Sequence, residues 1–323
     1  MNLLDKTTKE LNEKYKRPAV MSLQELLDIP TQRHSTGFLS IDNILGGGMP
    51  EGRIMEIYGP PSNGKTTLAL QIAAQYQKQN PRKVLYIDTE QAFDPPYAAA
   101  LGVNTETLML NQPESGEEGV DILLRLVETG EIGLAVVDSV ASLVPTSELE
   151  SEIQDQSMGV QAKLISRAVK RLLAVGNRTK TIAIFINQIR FKLGVVFGNP
   201  ETTTGGFALP YWSSIRLDMR RGEPIKLGKE ITGAKVKFKT VKNKLASPFQ
   251  TTELDLTFGH GFCGHSDLAT YAKTKGIIEQ RGAWYFYKGE QLAQGFDGVI
   301  KTLKENLDLH KEIWDNCTKS KGS

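Results

Sequence analysis

The stretch "GPPSNGKTT", Gly59 to Thr67, constrains the fold more than any other segment of this chain. It fits G-x-x-x-x-G-K-[ST], follows the apolar run "RIMEIY" and leads into the helix-forming "TTLALQIAAQYQKQ". Strand, glycine-containing turn and helix in that order make a phosphate-binding loop. Glycines let backbone N–H groups turn inward around a phosphate, and the helix N-terminus adds a favourable dipole. On this reading Gly59, Pro60, Pro61, Ser62, Asn63, Gly64, Lys65, Thr66 and Thr67 surround the phosphates of a nucleotide. Lys65 reaches the β- and γ-phosphates and the Thr66 hydroxyl coordinates Mg²⁺. A chance match in a turn is the competing explanation, and the order of elements speaks against it.

Such a loop belongs to an α/β sheet. "KVLYIDTE", "GLAVVDSVASL" and "TIAIFINQ" are further buried-strand candidates, and "SGEEGVDILLRLVETG" and "QAKLISRAVKRLLAVG" are helical stretches between them. The alternation predicts a mostly parallel, twisted sheet with helices on both faces. "WSSIRLDMRR", "AKVKFKTVKNK" and "TTELDLTFG" read as an antiparallel extension. The segment 1–33 is expected to be a helix–strand arm, too polar to fold alone and suited to packing on a partner. The core is expected over 34–262, and a small C-terminal α/β lobe over 263–323. The aromatic group "WYFY" (Trp284 to Tyr287) reads as core of that lobe rather than a platform for bases.

Charge and composition narrow the partners. With 39 Lys plus Arg against 37 Asp plus Glu, any nucleic acid must be held by a local patch rather than a global field. Cys263 and Cys317 make no disulfide framework, the N-terminus has no signal-peptide character, and no apolar run reaches membrane-spanning length. A cytoplasmic protein without a membrane partner is expected.

Acidic residues at strand ends complete the expected site. Asp138 ends "LAVVD", with Ser139 next, and can hold a metal through water or simply cap the following turn. Glu90 lies just past "VLYID" and is placed to position or deprotonate water; a surface cap is the alternative, and Asp88 competes for the role. Tyr97 can stack on a base or pack against the sheet.

Several segments together, "GPPSNGKTTLALQ", "YIDTEQAFDPPYAAALGV", "VVDSVASLVP", "FINQIRFKLGVVFGNPETTTGG" and "VKNKLASPF", closely resemble the bacterial and phage RecA recombinase family, over about Ser35 to Trp284. The resemblance implies a RecA-type P-loop ATPase core with ATP and Mg²⁺ as cofactors, Thr66 and Asp138 at the metal and Glu90 activating water. It implies that Asp94 and Tyr97 contact adenine, that Gln188 senses the γ-phosphate, and that Lys242 and Lys244 reach the neighbouring subunit's ATP. From the residues alone, "KVKFKTVK" is equally a half-exposed strand. The implied partners are single- and double-stranded DNA and further copies of the chain in an open helical filament.

Two loops, about 148–159 and 189–206, are the implied DNA-binding segments. In the second, Arg190 and Lys192 flank Phe191, Phe197 follows "LGVV", and Asn199 precedes a proline. Gly198, Gly205 and Gly206 are expected to let backbone N–H groups approach a phosphodiester, with Thr202, Thr203 and Thr204 offering hydroxyls. The first loop is acidic, so its contact rests on backbone donors and Met158. In the helix that follows, Lys163, Arg167, Lys170 and Arg171 share one face, opposite Leu164, Ile165, Ala168, Val169, Leu172 and Leu173. That stripe is either a solvated face or a phosphate rail.

Three departures from the family pattern stand out: Pro61 where an acid is common, Pro210 before Tyr211 and Trp212, and a C-terminal "DNCTKSKGS" without an acidic tail. "GHGFCGH" (His260, Cys263, His265) looks like half a metal site without its second half. A RecA-fold helicase motor and a weakly hydrolysing regulatory paralogue are the rival functions. The first has no use for "FGNPETTTGG", and intact Lys65, Glu90, Asp138 and Gln188 oppose the second.

Overall fold

In the computed structural model, the described residues are 2–16, 18–27, 31–150, 159–191, 198 and 200–319. The four sequence-predicted buried strands form β1 (Ile54–Gly59), β2 (Lys83–Asp88), β4 (Ile132–Asp138) and β5 (Ile182–Phe191), with a short β3 (Met109–Asn111) beside β2. All pair parallel, in the order β1, β5, β4, β2, β3. Side chains alternate between two apolar layers, as strand geometry requires. Met55, Ile57, Val84, Tyr86, Leu134 and Val136 face the P-loop helix Lys65–Gln79. Ile54, Leu85, Ile87, Ala135, Val137 and Phe185 face the helices Gly116–Glu128 and Val160–Thr179. Burial on both faces explains why β4 is apolar until Asp138.

A three-residue β6 (Glu201–Thr203) pairs antiparallel with the end of β5. On the other side of β1 the sheet continues through β7 (Ile215–Leu227), β8 (Glu230–Asn243), β9 (Thr251–Thr257) and β10 (Gly261–Phe262). The expected antiparallel extension needs one correction, since β7 runs parallel to β1 and the reversal begins only at β8. The reason is local. The helix Ala208–Trp212 turns the chain, and the Ser214 N–H donates to the Ile54 carbonyl, so β7 starts at the same end as β1.

The C-terminal lobe packs three antiparallel strands, Ile278–Arg281, Trp284–Tyr287 and Glu290–Gln294, against the helices Gly264–Thr274, Phe296–Glu305 and Leu307–Lys319. Tyr285 and Tyr287 enter its core with Leu268, Val299, Leu303 and Ile313. Trp284 points outward, and Phe286 carries the Arg281 guanidinium 5.0 Å above its ring. The core reading of "WYFY" therefore holds for alternate residues.

The segment Met1–Gln32 is a compact unit of its own. Its helix Leu3–Tyr15 starts with a reciprocal cap between Asn2 and Asp5. The strand expected after it is reduced to two residues just past this segment, Arg33–His34, which pair antiparallel with Met49–Pro50. Ser22 and Glu25 cap each other, at 2.6 and 3.1 Å, and start the short helix Leu23–Leu27. The local S-x-x-E cap favours a helix here, ahead of that strand.

Within the larger unit, a buried acid joins lobe to core. Asp267 accepts from the Ser40 hydroxyl and backbone N–H. Burial pushes its pKa up to about 6, against the pull of those Ser40 hydrogen bonds. Because that value lies above the unfolded one, about 3.9, protonated Asp267 stabilises the fold at low pH. This contribution is lost as pH rises through about 6. Asp267→Asn is expected to raise stability near neutral pH by roughly 1–3 kcal/mol and to flatten the slope between about pH 4 and 7. Melting temperature against pH reads this directly. Parallel profiles for the two proteins would mean that Asp267 does not titrate with folding.

Candidate nucleotide and nucleic-acid site

Parallel pairing brings the strand ends to one edge. Gly59 stands in register with Gln188, and Asp88 with Asp138. The carboxyl ends of β1, β5, β4 and β2 therefore gather the P-loop, Gln188, Asp138 and Glu90, where open α/β sheets bind ligands.

Packing fixes the shape of the P-loop. Gly64 has φ +85°, and a Cβ there would lie 2.9 Å from Leu256 and 3.1 Å from Phe262. No other residue suits that turn. The Asn63 amide donates to the Met219 carbonyl of β7 and ties the loop to the sheet. The Lys65 ammonium donates to the Pro60 carbonyl at 2.7 Å and the Gly59 carbonyl at 3.2 Å. Burial lowers its pKa, while Asp138 and Glu90 oppose the shift.

The Thr66 hydroxyl donates to Asp138 Oδ2 at 2.7 Å, and Tyr86 OH to the same oxygen at 2.8 Å. Burial raises the Asp138 pKa, with Glu90 and Asp88 adding to it and the two hydroxyls opposing. A hydroxyl and a carboxylate side by side are hard oxygen donors of the kind Mg²⁺ prefers. Sequence reasoning missed Tyr86. The available signal was its place inside the buried run "VLYID", since a buried tyrosine hydroxyl usually finds a partner.

Glu90 joins this group through two hydrogen bonds. Its Oε1 accepts from Ser139 Oγ at 2.6 Å and from Gln188 Nε2 at 3.1 Å. Asp88 is occupied elsewhere, accepting from the backbone of Glu90 and Phe93 and from the Gln112 amide. Its carboxylate builds the turn that carries Glu90. Asp94 caps the helix Pro95–Ala100, and Tyr97 OH lies 3.0 Å from Thr67 Oγ1, beside the start of the P-loop helix.

Lys242 and Lys244 fall in a different cluster. Lys242 donates to the carbonyls of Pro210 and Tyr211 at 2.8 and 2.6 Å, and burial, with Lys244 and Arg216 nearby, lowers its pKa. Lys244 is exposed next to it. Neither lysine makes a hydrogen bond or ion pair to the Lys65–Asp138–Glu90 group.

The "FGNPETTTGG" region differs from the aperiodic loop expected. The strand β5 runs on through Arg190 and Phe191, and β6 returns against it, with Ile189 opposite Thr203 and Phe191 opposite Glu201. Arg220 grips Glu201 at 2.8 and 2.6 Å while holding Asp218, so an ion pair fixes the returning strand. Arg190 and Phe191 are exposed. Met158, Lys192, Phe197 and Asn199 lie outside the described residues.

The threonines and glycines of this stretch also make contacts within the protein. Thr203 is buried and the Thr204 hydroxyl donates to Asn187, so Thr202 is the one directed to the other side of the ladder. Gly205 and Gly206 have φ +79° and +72°; Cβ atoms there would lie 2.9 Å from Val140 and 3.0 Å from Ala162. They let the chain close onto the helix Val160–Thr179. On that helix Lys163, Arg167, Lys170 and Arg171 are all exposed, while Ile165, Ala168, Val169 and Leu172 are buried. In the lobe, His265 stands edge-on to His310, with ring centroids 5.1 Å apart.

Comparison with known proteins agrees with this architecture. The RecA N-terminal domain family matches residues 2–263 and the RecA C-terminal domain family residues 266–320. The Protein RecA of Limosilactobacillus reuteri (strain DSM 20016) is 46% identical over 320 residues, covering 99% of this chain and 88% of that protein. That of Lactobacillus acidophilus is 45% identical over 320 residues, with the same coverage. That of Bacillus anthracis is 46% identical over 311 residues, covering 96% of this chain and 90% of that protein.

Proposed function

Since this chain belongs to the RecA family, and is thereby a DNA-dependent ATPase of homologous pairing and strand exchange, we propose a working assignment of its residues and partners. ATP is held by Gly59–Thr67, with Lys65 on the outer phosphates, Asp94 and Tyr97 at the base, and Mg²⁺ on Thr66 and through water on Asp138. The bound cation supplies charge neutralisation of the phosphates. Glu90 orients and deprotonates the attacking water, and Gln188 responds to the γ-phosphate. Ser139 holds Glu90 in place.

The observation that carries this reading is the pair of hydrogen bonds on Glu90. One side chain of that pair, Gln188, sits on the strand that runs directly into the "FGNPETTTGG" hairpin. A change in the hairpin therefore has a short physical route to the hydrolytic group. Single-stranded DNA is held by the two loops, 148–159 and 189–206, and by the cationic stripe; duplex DNA is the second substrate. The arm 1–33 packs on the next copy in a heterologous contact, which gives an open filament. Lys242 and Lys244 complete the neighbour's ATP site across that contact, after Lys242 leaves Pro210 and Tyr211. The cytoplasm is the fitting compartment for such an activity.

ATP turnover with and without single-stranded DNA, across a salt series, tests the assignment. Stimulation that fades as salt rises is the expected result. Turnover indifferent to DNA would overturn the assigned coupling.

A further inference from the structure

A charged residue buried within β1 is not used by any step above. Glu56 is fully buried at the centre of the sheet, and its two carboxylate oxygens serve two different partners. Oε2 accepts from Arg216 Nε on β7 at 2.5 Å, and Oε1 accepts from Asn187 Nδ2 on β5 at 2.9 Å. Arg216 in turn lies 4.5 Å over the Tyr58 ring.

Asn187 is equally buried and is a junction. Its amide nitrogen also donates to the Thr204 carbonyl at 3.1 Å, and its oxygen accepts from the Thr204 hydroxyl and from the Gln188 backbone N–H at 2.8 Å. One side chain thus fixes both the returning leg of the hairpin and the residue that bonds Glu90. Glu56 adds the charged acceptor to the neutral Thr204 carbonyl and the Gln188 N–H in fixing this orientation, because an asparagine flipped by half a turn would set its oxygen against a carboxylate.

We infer that Glu56 is a positioning residue for DNA-stimulated hydrolysis: its buried carboxylate orients Asn187, and Asn187 locks the hairpin's return leg and Gln188 into one arrangement. This rests on the proposed roles of Gln188 and Glu90. Glu56 touches neither nucleotide nor DNA site, so its loss is expected to affect coupling rather than the basal reaction.

The chemistry suggests a discriminating substitution. A glutamine at position 56 has one acceptor oxygen where the carboxylate has two, so it can satisfy Arg216 or Asn187 but not both. In Glu56→Gln the full chain is expected to keep basal turnover and the KM for ATP within about twofold, while stimulation by single-stranded DNA falls about tenfold or more. Adding Arg216→Met removes the competing donor and leaves the glutamine oxygen to Asn187, so stimulation is expected to return in the double variant. Normal stimulation in Glu56→Gln, or a double variant as impaired as the single one, would overturn the inference. A proportional fall in basal and stimulated rates would also overturn it, since that is the signature of a merely structural role. Should Glu56→Gln fail to fold, Asn187→Ala decides, because it keeps the Glu56–Arg216 ion pair and removes the junction to Glu56, Thr204 and Gln188 together: stimulation lost with basal turnover kept supports the inference, and stimulation kept, or both rates falling in proportion, refutes it. An unmodified protein whose turnover ignores DNA would instead count against the proposed function, which keeps the two failures apart.

Discussion

Glu90→Gln is expected to lower DNA-stimulated ATP turnover by about 10²–10⁴-fold while leaving ATP and single-stranded DNA binding nearly unchanged. The amide is isosteric, and its oxygen can still accept from Ser139 and Gln188, the two donors that hold the carboxylate now. What it cannot do is take a proton from water. Single-turnover hydrolysis, with binding measured separately, reads the difference. The companion variant Asp88→Asn puts the rival carboxylate to the test. Asp88 accepts three hydrogen bonds that build the turn, so its loss is expected to cost stability more than chemistry. A large turnover defect in Asp88→Asn beside a near-normal Glu90→Gln would reverse the two roles.

The second large effect concerns the exposed cations of the helix Val160–Thr179. Replacing Lys163, Arg167 and Lys170 together by alanine is expected to weaken single-stranded DNA binding by about 10–100-fold at moderate salt. The slope of log affinity against log salt should become shallower by about two, at roughly 0.7 per lost phosphate contact. These side chains make no ion pair among the described residues, and the helix is anchored by its buried face, so folding should be little affected. Weaker binding with an unchanged salt slope would mean that the stripe is an ordinary solvated face. The slope distinguishes the readings better than the affinity does, because affinity also falls when a helix is merely loosened.

What was legible in the sequence follows from how local its causes are. The P-loop, the buried strands and the two-faced basic helix are written in spacing and periodicity, and the structure reproduces them. The parallel course of β7 was not legible, because it depends on where a short helix delivers the chain rather than on the strand's own pattern. Nor was the short helix Leu23–Leu27, where a reciprocal Ser22–Glu25 cap governs a segment otherwise compatible with a strand. At the site, Lys65 and Thr66 were proposed from the P-loop motif, Asp138, Ser139 and Glu90 from their places at strand ends, and Gln188 from the family resemblance. Tyr86, Asn187 and Glu56 were not, since their partners lie across the sheet and strand register alone decides that they meet. The glycines after the threonines were expected at a phosphodiester, and packing inside the protein adds a constraint that the sequence did not show. The neighbour they must approach is a helix packed underneath.

The short ladder between Ile189–Phe191 and Glu201–Thr203 has a thermodynamic consequence of its own. Strand pairing holds the two legs about 5 Å apart, so residues 192–200 are tethered at both ends before any ligand arrives. A segment closed in this way has already lost the freedom of its ends. The cost of closing such a segment grows only with the logarithm of its length, so doubling it would cost the ladder about 0.6 kcal/mol. The enclosed segment can therefore change in length at little expense to the ladder, provided that its Arg220–Glu201 clasp is kept.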